Sequence, residues 1–130
     1  MDEELPKGLL YNDNHSWVKV NGDVVEVGIT KPFANSVKEF VYIELPEQGK
    51  EIKKGETYVS MESVKWSGHL ESPVSGEIVE VNNALFDEPS LLNQDPYKHW
   101  IMRVKLLDKD ELNGLMDADQ ALANLSCKLG

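Results

Sequence analysis

The sequence contains very little cysteine and no long apolar segment. Cys127 is the only cysteine in the 130 residues, so no internal disulfide can form and a reducing compartment such as the cytoplasm fits. A single thiol also has no partner in the chain for a redox pair. No apolar run approaches the roughly 20 residues that cross a bilayer, and the opening MDEELPKGLL lacks the basic and apolar regions of a secretion signal. We therefore expect a cytoplasmic protein with no membrane segment.

Positive charge is also scarce. The chain has 13 lysines and arginines against 23 aspartates and glutamates, which gives a formal net charge of −10. This field repels the phosphates of nucleic acids and anionic membrane surfaces, so neither is an expected partner. It favours proteins with basic docking surfaces, because opposite charges speed their encounter. The same acidity is equally consistent with a role in solubility alone.

The sequence has no recognisable catalytic or metal-binding motif. Its three histidines are too scattered to form a local metal-binding motif, and they lie far along the chain from the cysteine: His15, His69 and His99. A glycine-rich phosphate loop and a G-x-S-x-G nucleophile elbow are both absent. Carboxylate pairs arise by chance on so acidic a surface and do not by themselves indicate a glycosidase. We expect a protein without a metal site that is not an enzyme by itself.

The apolar residues follow the two-residue period of β-strands. Two alternating runs flank the Asn-Gly pair at 21 and 22, which predicts a β-hairpin with Trp17 and Ile29 in the core. Further strands are predicted in FVYIELP (ended by Pro46), around Ile52, in TYVSMES, in a pair interrupted between Pro73 and Gly76, and in HWIMRVKLL. In the strand after Gly76, the residues expected to enter the core are Ile78, Val79 and Val81.

Helical patterns are short by comparison. Thr30 as a cap and Pro32 in the first turn predict a helix ending near Val37. The segment NALFDEPSLLNQDPY is consistent with a short helix or an irregular connection. From Asp110 onward, one amphipathic helix is predicted with an apolar face of Leu112, Leu115, Met116, Leu122 and Leu125. No linker divides the chain, so residues 1–130 are predicted to be one domain, a compact barrel or sandwich with helical additions.

Lys65 lies between two predicted strands and therefore at the tip of a predicted hairpin. A side chain at such a tip projects freely from a rigid support. One interpretation is a solvated turn lysine, and the other is the attachment point of a carrier protein, which needs a protruding amine. The spacing of the residues leaves both interpretations open.

The chain resembles the H protein of the glycine cleavage system over residues 8 to 123. The matching segments occur in order: YNDNHSWVKV, VGIT, VYIELPEQGKEIKKGE, MESVK, SPVSGEIVEVNNAL, LLNQDPY and DELNGLMDA. In that family the lysine of E-S-V-K carries lipoic acid in amide linkage. The resemblance thus implies that Lys65 is the attachment residue, with Glu62, Ser63, Val64 and Trp66 beside it. Biotin-bearing domains of the same fold typically have Met-Lys-Met at this place, so the resemblance favours lipoate.

The resemblance also implies a fold and a role. The expected fold is a mainly β lipoyl domain, a barrel-sandwich hybrid of two small sheets with short helices and a C-terminal helix. The expected role is that of a non-catalytic carrier whose lipoyl arm shuttles an intermediate between partner enzymes. A lipoate ligase or lipoyltransferase would load it, and dihydrolipoamide dehydrogenase would reoxidise it. Glu62 and Ser63 either are recognised by the lipoylating enzyme or only shape the turn.

The sequence departs from the family where the loaded arm is sheltered. In the family, one acid of the arm's cleft lies in His-Glu-Trp, and this chain has Ser16 there. A second acid follows four residues after the lysine, and this chain has His69. The small residue after the lysine is replaced by Trp66. The residues expected to line the arm's cleft are His15, Ser16, Ile29 and His69.

These departures leave three functions open. Loss of both acids removes charge-assisted hydrogen bonds to a cationic amine, whereas an aromatic ring offers contacts to sulfur. This favours a lipoate-binding protein of heterodisulfide-reductase-like sulfur oxidation, with that complex as partner. The alternative is a glycine cleavage H protein that passes an aminomethyl group from glycine decarboxylase to the aminomethyltransferase, with Glu26 or Glu71 replacing the lost acids. The third is an unmodified interaction module or a relay of lipoyl groups.

Overall fold

The computed structural model describes the backbone of residues 5–129 and the side chains of residues 5–124. Nine strands lie in this part of the chain: β1 (Leu10–Tyr11), β2 (Ser16–Asn21), β3 (Val24–Ile29), β4 (Phe40–Glu44), β5 (Glu51–Ile52), β6 (Thr57–Ser63), β7 (Ser67–Glu71), β8 (Gly76–Val81) and β9 (Met102–Leu106). Six of them form one sheet in the order β1-β2-β3-β9-β8-β5, and three form a second in the order β4-β6-β7. All of these pairs are antiparallel, and the predicted mainly β fold of two small sheets is confirmed.

Three short helices lie between strands: α1 (Lys31–Val37), α2 (Ala84–Asp87) and α3 (Leu91–Gln94). A 3₁₀ helix (Lys109–Gly114) and α4 (Ala118–Leu129) follow the last strand. The helix predicted between Thr30 and Val37 is confirmed as α1. Thr30 occupies the N-cap position in an extended conformation, although its side chain makes no capping hydrogen bond. Pro32 is tolerated in the first turn because the N–H that it lacks would have no partner inside the helix.

The predicted hairpin between β2 and β3 is confirmed, with a two-residue turn at Gly22 and Asp23. Asn21 is the last paired residue of β2 and lies opposite Val24. Gly22 has a φ of +67°, which a glycine adopts without the steric cost of a Cβ. The turn therefore places its glycine first, as in the Gly-X loops that match the twist of paired strands.

The core lies between the two sheets. The larger sheet contributes Val18, Val25, Val27, Ile29, Ile78 and Val104, the smaller sheet contributes Ile43, Val59, Met61 and Leu70, and the helices contribute Phe33, Leu85 and Leu92. A second buried cluster of Tyr11, Trp17, Ala118 and Ala121 holds the start of the chain against α4. The predicted core positions of Trp17 and Ile29 are confirmed.

The prediction that Val79 enters the core is wrong. Ile78 is buried and Val81 packs against the core, but Val79 is exposed. The register of β8 against β9 shifts between Ile78 and Glu80, which marks a β-bulge that contains Val79. A bulge inserts an unpaired residue into the strand and so changes which side chains face inward.

The prediction of one continuous helix from Asp110 is also wrong. The structure has the 3₁₀ helix as far as Gly114 and begins α4 at Ala118. Between them Leu115 is extended, and the N–H of Met116 donates to the carbonyl of Tyr11 while its carbonyl accepts from the N–H of Tyr11, both at 2.8 Å. This two-way pairing with β1 uses backbone groups that a continuous helix would have kept for itself. The side chain of Leu125 lies outside the described residues.

Candidate functional site

Lys65 lies at the tip of the β6–β7 hairpin, as predicted. Glu62 and Ser67 are the paired residues nearest the tip, so the chain reverses between them. The side chain of Lys65 is exposed, as is that of Val64 before it. The primary amine of Lys65 therefore projects from the end of a two-stranded element that is itself packed on the core.

The tip is held by hydrogen bonds that do not involve the lysine side chain. The hydroxyl of Ser63 donates to the carbonyl of Val37 at 2.6 Å and accepts from the backbone N–H groups of Lys65 and Trp66 at 3.2 and 2.9 Å. The N–H of Ser63 donates to the carbonyl of Trp66 at 2.7 Å, and that of Val64 donates to Glu39 at 3.0 Å. Ser63 thus shapes the turn and ties it to the end of α1.

Three aromatic side chains pack in a row beside the hairpin, and we call them the aromatic row: the half-buried Trp66 and His15 with the buried Phe33 between them. Trp66 is half-buried and meets Phe33 edge-on with ring centroids 5.2 Å apart. Phe33 stacks on His15 at 4.6 Å. The Trp66 ring also covers Gly68, where an added Cβ would lie 2.7 Å from its Cζ2 atom. Phe33 was not among the predicted site residues, because its ring partners lie 18 and 33 residues away along the chain.

His15 lies in a loop that is fastened to β7. Its φ of +68° is uncommon for a non-glycine residue. The side-chain carbonyl of Asn12 accepts from the N–H groups of Asn14 and Ser16 at 2.9 and 3.0 Å. Asn14 in turn accepts from the N–H of Glu71 at 2.7 Å. These bonds fix the loop beside the hairpin that carries Lys65.

The residues predicted to line the arm's cleft lie in different environments. Ser16 and Ile29 have no exposed area and are paired on β2 and β3. The hydroxyl of Ser16 lies 2.7 Å from that of Tyr58, so it faces the interior. His15 is half-buried, and His69 is exposed on β7 opposite Ser60. The structure thus leaves His15 and His69 at the surface, and their place beside a loaded arm stays a prediction.

Comparison with known proteins identifies the family. The family model described as glycine cleavage H-protein matches residues 9–127. The glycine cleavage system H protein of Thermoanaerobacter sp. is 46% identical over 117 residues, which are 90% of this chain and 93% of that protein. The probable glycine cleavage system H protein of Thermococcus gammatolerans is 47% identical over 118 residues, 89% of this chain and 88% of that protein.

A solved structure agrees with the sequence comparisons. The crystal structure of a glycine cleavage system H protein from Mycobacterium marinum superposes with a TM-score of 0.85 at 31% identity, over 94% of this chain and 99% of that one. The chain belongs to the glycine cleavage H-protein family. Members of this family are non-catalytic carriers with lipoate attached covalently to a lysine, and this chain is a lipoyl carrier of the H-protein type.

Of the two acids expected to replace the lost ones in this H-type carrier, one is already bound to another side chain. Glu26 accepts from Nε and Nη2 of Arg103 at 3.1 and 2.9 Å. Arg103 also donates to Glu80 at 2.6 Å and lies 4.1 Å from the ring centroid of Trp100, and its carboxylate partners raise the pKa of its guanidinium. The carboxylate of Glu26 is therefore already bound to Arg103 on the larger sheet. Glu71 is exposed on β7.

The remaining sequence predictions concern metals, membranes and the cysteine. In the described part of the H-type chain, no three His, Cys, Asp or Glu residues come together as a possible metal site. None of the helices in residues 5–129 is both long and apolar enough to span a bilayer. The side chain of Cys127 lies outside the described residues.

Proposed function

We propose that Lys65 carries the lipoyl group and that the protein serves glycine cleavage as the carrier between its enzymes. The observation that carries this proposal is the exposed amine of Lys65 on a hairpin tip whose backbone is fixed by Ser63. The names of two relatives support this pathway: a glycine cleavage system H protein at 46% identity and a probable one at 47%. Its partners would be glycine decarboxylase, the aminomethyltransferase, dihydrolipoamide dehydrogenase and a lipoate ligase or lipoyltransferase.

The residues around Lys65 fit a covalently attached lipoyl group. Bound lipoate supplies a dithiol–disulfide pair that accepts a passenger group and electrons, so the chain itself needs no nucleophile. Lys65 provides the amide nitrogen and the flexible stem. The hydrogen bonds of Ser63 keep the backbone in place while the stem moves. Val64 is exposed and Trp66 lies back against the core, so neither side chain blocks the amine.

Intact-mass measurement and peptide mapping test the attachment site. The protein is produced in a host that makes lipoate ligase and lipoate. We expect a lipoyl mass increment that maps to Lys65 and disappears in Lys65→Arg. The control is Lys54→Arg, because Lys54 is another exposed turn lysine and its change should leave the increment intact. An increment that persists in Lys65→Arg contradicts the site, and an unmodified wild-type protein supports the interaction module instead.

A second candidate function is carriage of sulfur species in heterodisulfide-reductase-like sulfur oxidation. The observation that favours it is the environment of the aromatic row. Ser16, at the place of one family acid, is buried against Tyr58, and Glu26 is occupied by Arg103. His69 stands at the place of the other acid, so a cationic amine finds no carboxylate there for a charge-assisted hydrogen bond. The half-buried ring of Trp66 offers an aromatic contact, which attracts divalent sulfur by roughly 0.3–1.5 kcal/mol.

Loading assays separate the two passengers. Lipoylated protein is incubated either with glycine, glycine decarboxylase and its cofactor, or with a polysulfide donor after reduction of the arm. Mass spectrometry then measures the fraction of protein that carries each passenger. Glycine-dependent loading at the level of a bacterial H protein supports glycine cleavage. Loading by polysulfide without any loading by glycine supports the sulfur role.

A further inference from the structure

The outer face of the smaller sheet carries an exposed aromatic pair close to Lys65. Residues directly opposite each other in adjacent strands share a face, and Tyr42 on β4 lies opposite Glu62 on β6. Glu62 is exposed, so this is the face turned away from the core. Tyr42 keeps 42% of its surface exposed there. Its ring meets Phe86 of α2 edge-on at 6.2 Å, and Phe86 is 58% exposed.

A bulge adds a third apolar residue to this pair. The register of β4 against β6 shifts between Phe40 and Tyr42, and Val41 between them is 56% exposed. We call Val41, Tyr42 and Phe86 the Tyr42–Phe86 patch. Single exposed apolar side chains are normal, but adjacent aromatic residues on a rigid support are typical of the centre of a protein interface.

The Tyr42–Phe86 patch has an acidic rim formed by Glu44, Glu62 and Asp87. All three carboxylates are exposed, and within the described residues none of them has an ion pair or a side-chain hydrogen bond. The whole chain has a formal net charge of −10, so its field adds to theirs. A partner that covers this face needs an apolar pocket for the two rings and lysine or arginine side chains around it.

The position of the patch indicates which partner this is. Tyr42 lies opposite Glu62, which is three residues before Lys65, so the patch begins about 10 Å along the hairpin from the lysine. A standard interface buries about 800 Å² of each partner and is roughly 30 Å across, so a protein seated on the patch also covers the tip. Enzymes that use a loaded arm can reach its end from a distance, whereas the enzyme that acylates Lys65 must enclose the lysine itself.

We propose that the Tyr42–Phe86 patch is the docking surface for the lipoylating enzyme, an inference that rests on Lys65 being the attachment site. In the reaction, Nζ of Lys65 attacks the carbonyl carbon of lipoyl adenylate. The C–N amide bond forms, the bond from that carbon to the phosphate oxygen breaks, AMP leaves with the electron pair, and the amine loses one proton to solvent. The patch holds the protein while this transfer takes place and does not take part in the bond changes.

Steady-state lipoylation kinetics test the proposal. The apo-protein is titrated with a bacterial lipoate–protein ligase that accepts glycine cleavage H proteins, together with lipoate and ATP. Tyr42→Ser/Phe86→Ser is expected to lower kcat/KM at least tenfold, almost entirely through KM. Circular dichroism and urea unfolding verify that the double variant is folded. A matched control, Val20→Ser/Leu107→Ser, changes two residues that are similarly exposed, at 43% and 64%, but lie near the β2–β3 turn.

The outcomes are distinguishable. If the wild-type protein is not lipoylated at Lys65, the result contradicts the proposed function itself. A wild-type protein that is lipoylated while the patch variant behaves like the control overturns only the docking surface. The docking surface is also overturned if the wild-type protein sediments as a dimer and the patch variant as a monomer, with lipoylation unchanged. The patch would then bind a second copy of the chain.

A second experiment tests the acidic rim independently of the aromatic residues. Glu44→Gln/Asp87→Asn removes two rim charges and leaves the hairpin strand that contains Glu62 unchanged. We expect kcat/KM to fall about threefold or more at low salt, and its decrease with added salt to become less steep, because steering by exposed charges is screened. Glu77→Gln/Asp119→Asn removes two other exposed charges, on β8 and α4, and serves as the control. An equal salt dependence in both variants contradicts the role of the rim.

Discussion

The hydroxyl groups of Ser16 and Tyr58 lie 2.7 Å apart in the interior and join the two sheets. Ser16 begins β2 of the larger sheet and Tyr58 belongs to β6 of the smaller one, and both side chains are buried. A buried hydroxyl without a partner is costly, so each of these two groups depends on the other. The same bond turns Ser16 away from the surface on which a loaded arm would rest.

A double-mutant cycle tests this mutual dependence. Ser16→Ala and Tyr58→Phe each leave one buried hydroxyl without its partner, and we expect each to lower the free energy of unfolding by about 1–3 kcal/mol. The double variant removes both hydroxyls and should be more stable than the sum of the single losses predicts, by about 1 kcal/mol or more. Urea unfolding at neutral pH gives all four values. Strict additivity would contradict a direct bond between the two groups.

Tyr58 also predicts how stability changes at alkaline pH. Burial raises the pKa of its phenol well above the ordinary value of 10.0. The folded state then holds the proton to a higher pH than the unfolded state does. The contribution to stability is complete below about pH 10 and is lost as the pH rises towards the folded pKa, at up to about 1.4 kcal/mol per pH unit.

The measurement compares the wild-type protein with Tyr58→Phe between about pH 9 and pH 11. The variant lacks the ionisable group, so its free energy of unfolding should fall less steeply in this range. Urea midpoints at each pH provide the comparison. Equal slopes for the two proteins would mean that Tyr58 ionises alike in the folded and unfolded chains.

The hydrogen bonds of Ser63 should affect both the stability of the fold and the rate at which Lys65 is lipoylated. Ser63→Ala removes the hydroxyl that accepts from the N–H groups of Lys65 and Trp66 and donates to Val37. We expect a loss of about 1–2 kcal/mol in unfolding free energy, because water replaces these partners only in part. The rate of lipoylation should fall, but Lys65 should still become modified because the lysine is unchanged. Ser67→Ala, at an exposed position across the hairpin, is the control and should change neither quantity. Unchanged lipoylation kinetics in Ser63→Ala would show that the tip needs no such support.

Two strand glycines differ in how much room surrounds them. A Cβ at Gly76 would contact the backbone carbonyl oxygen of Lys105 and the side chain of Val104, neither of which can easily move. Gly76→Ala should therefore lower the free energy of unfolding by about 3 kcal/mol or more. At Gly68 the three nearest atoms to an added Cβ all belong to the half-buried ring of Trp66, which can shift, so Gly68→Ala should cost about 1 kcal/mol and change the tryptophan fluorescence. Gly114→Ala, whose nearest neighbour is the end of Lys54 at 3.4 Å, is the control. Equal losses at Gly76 and Gly114 would contradict the close approach of β8 and β9.

Much of the architecture could be predicted from local patterns. The hairpin of β2 and β3 follows from alternating valines around an Asn-Gly pair, and α1 follows from Thr30 and Pro32. The position of Lys65 at a hairpin tip follows from the strands on either side of it. Each of these features depends on residues that are neighbours in the chain, so the sequence contains the whole signal.

The features that the sequence patterns did not reveal depend on contacts between distant segments. Val79 is exposed because a bulge in β8 interrupts its pairing with β9, and the alternation of apolar residues alone does not reveal a bulge. The C-terminal helix is divided because Met116 pairs with Tyr11 at the other end of the chain. The burial of Ser16 depends on Tyr58, which is 42 residues away. Sequence patterns cannot assign such partners without the fold.

The ring of Trp66 over Gly68 restricts the order in which substitutions can accumulate. With tryptophan at 66, any change at 68 adds a Cβ about 2.7 Å from the ring and forces that ring to move, so glycine at 68 is favoured while the tryptophan persists. A lineage would therefore lose least stability by acquiring the tryptophan after the glycine, and by losing it before position 68 diversifies again. We expect the pair to be gained and lost in that sequence across relatives. Its presence would then identify carriers that share the same aromatic surface beside the modified lysine, whichever passenger they transport.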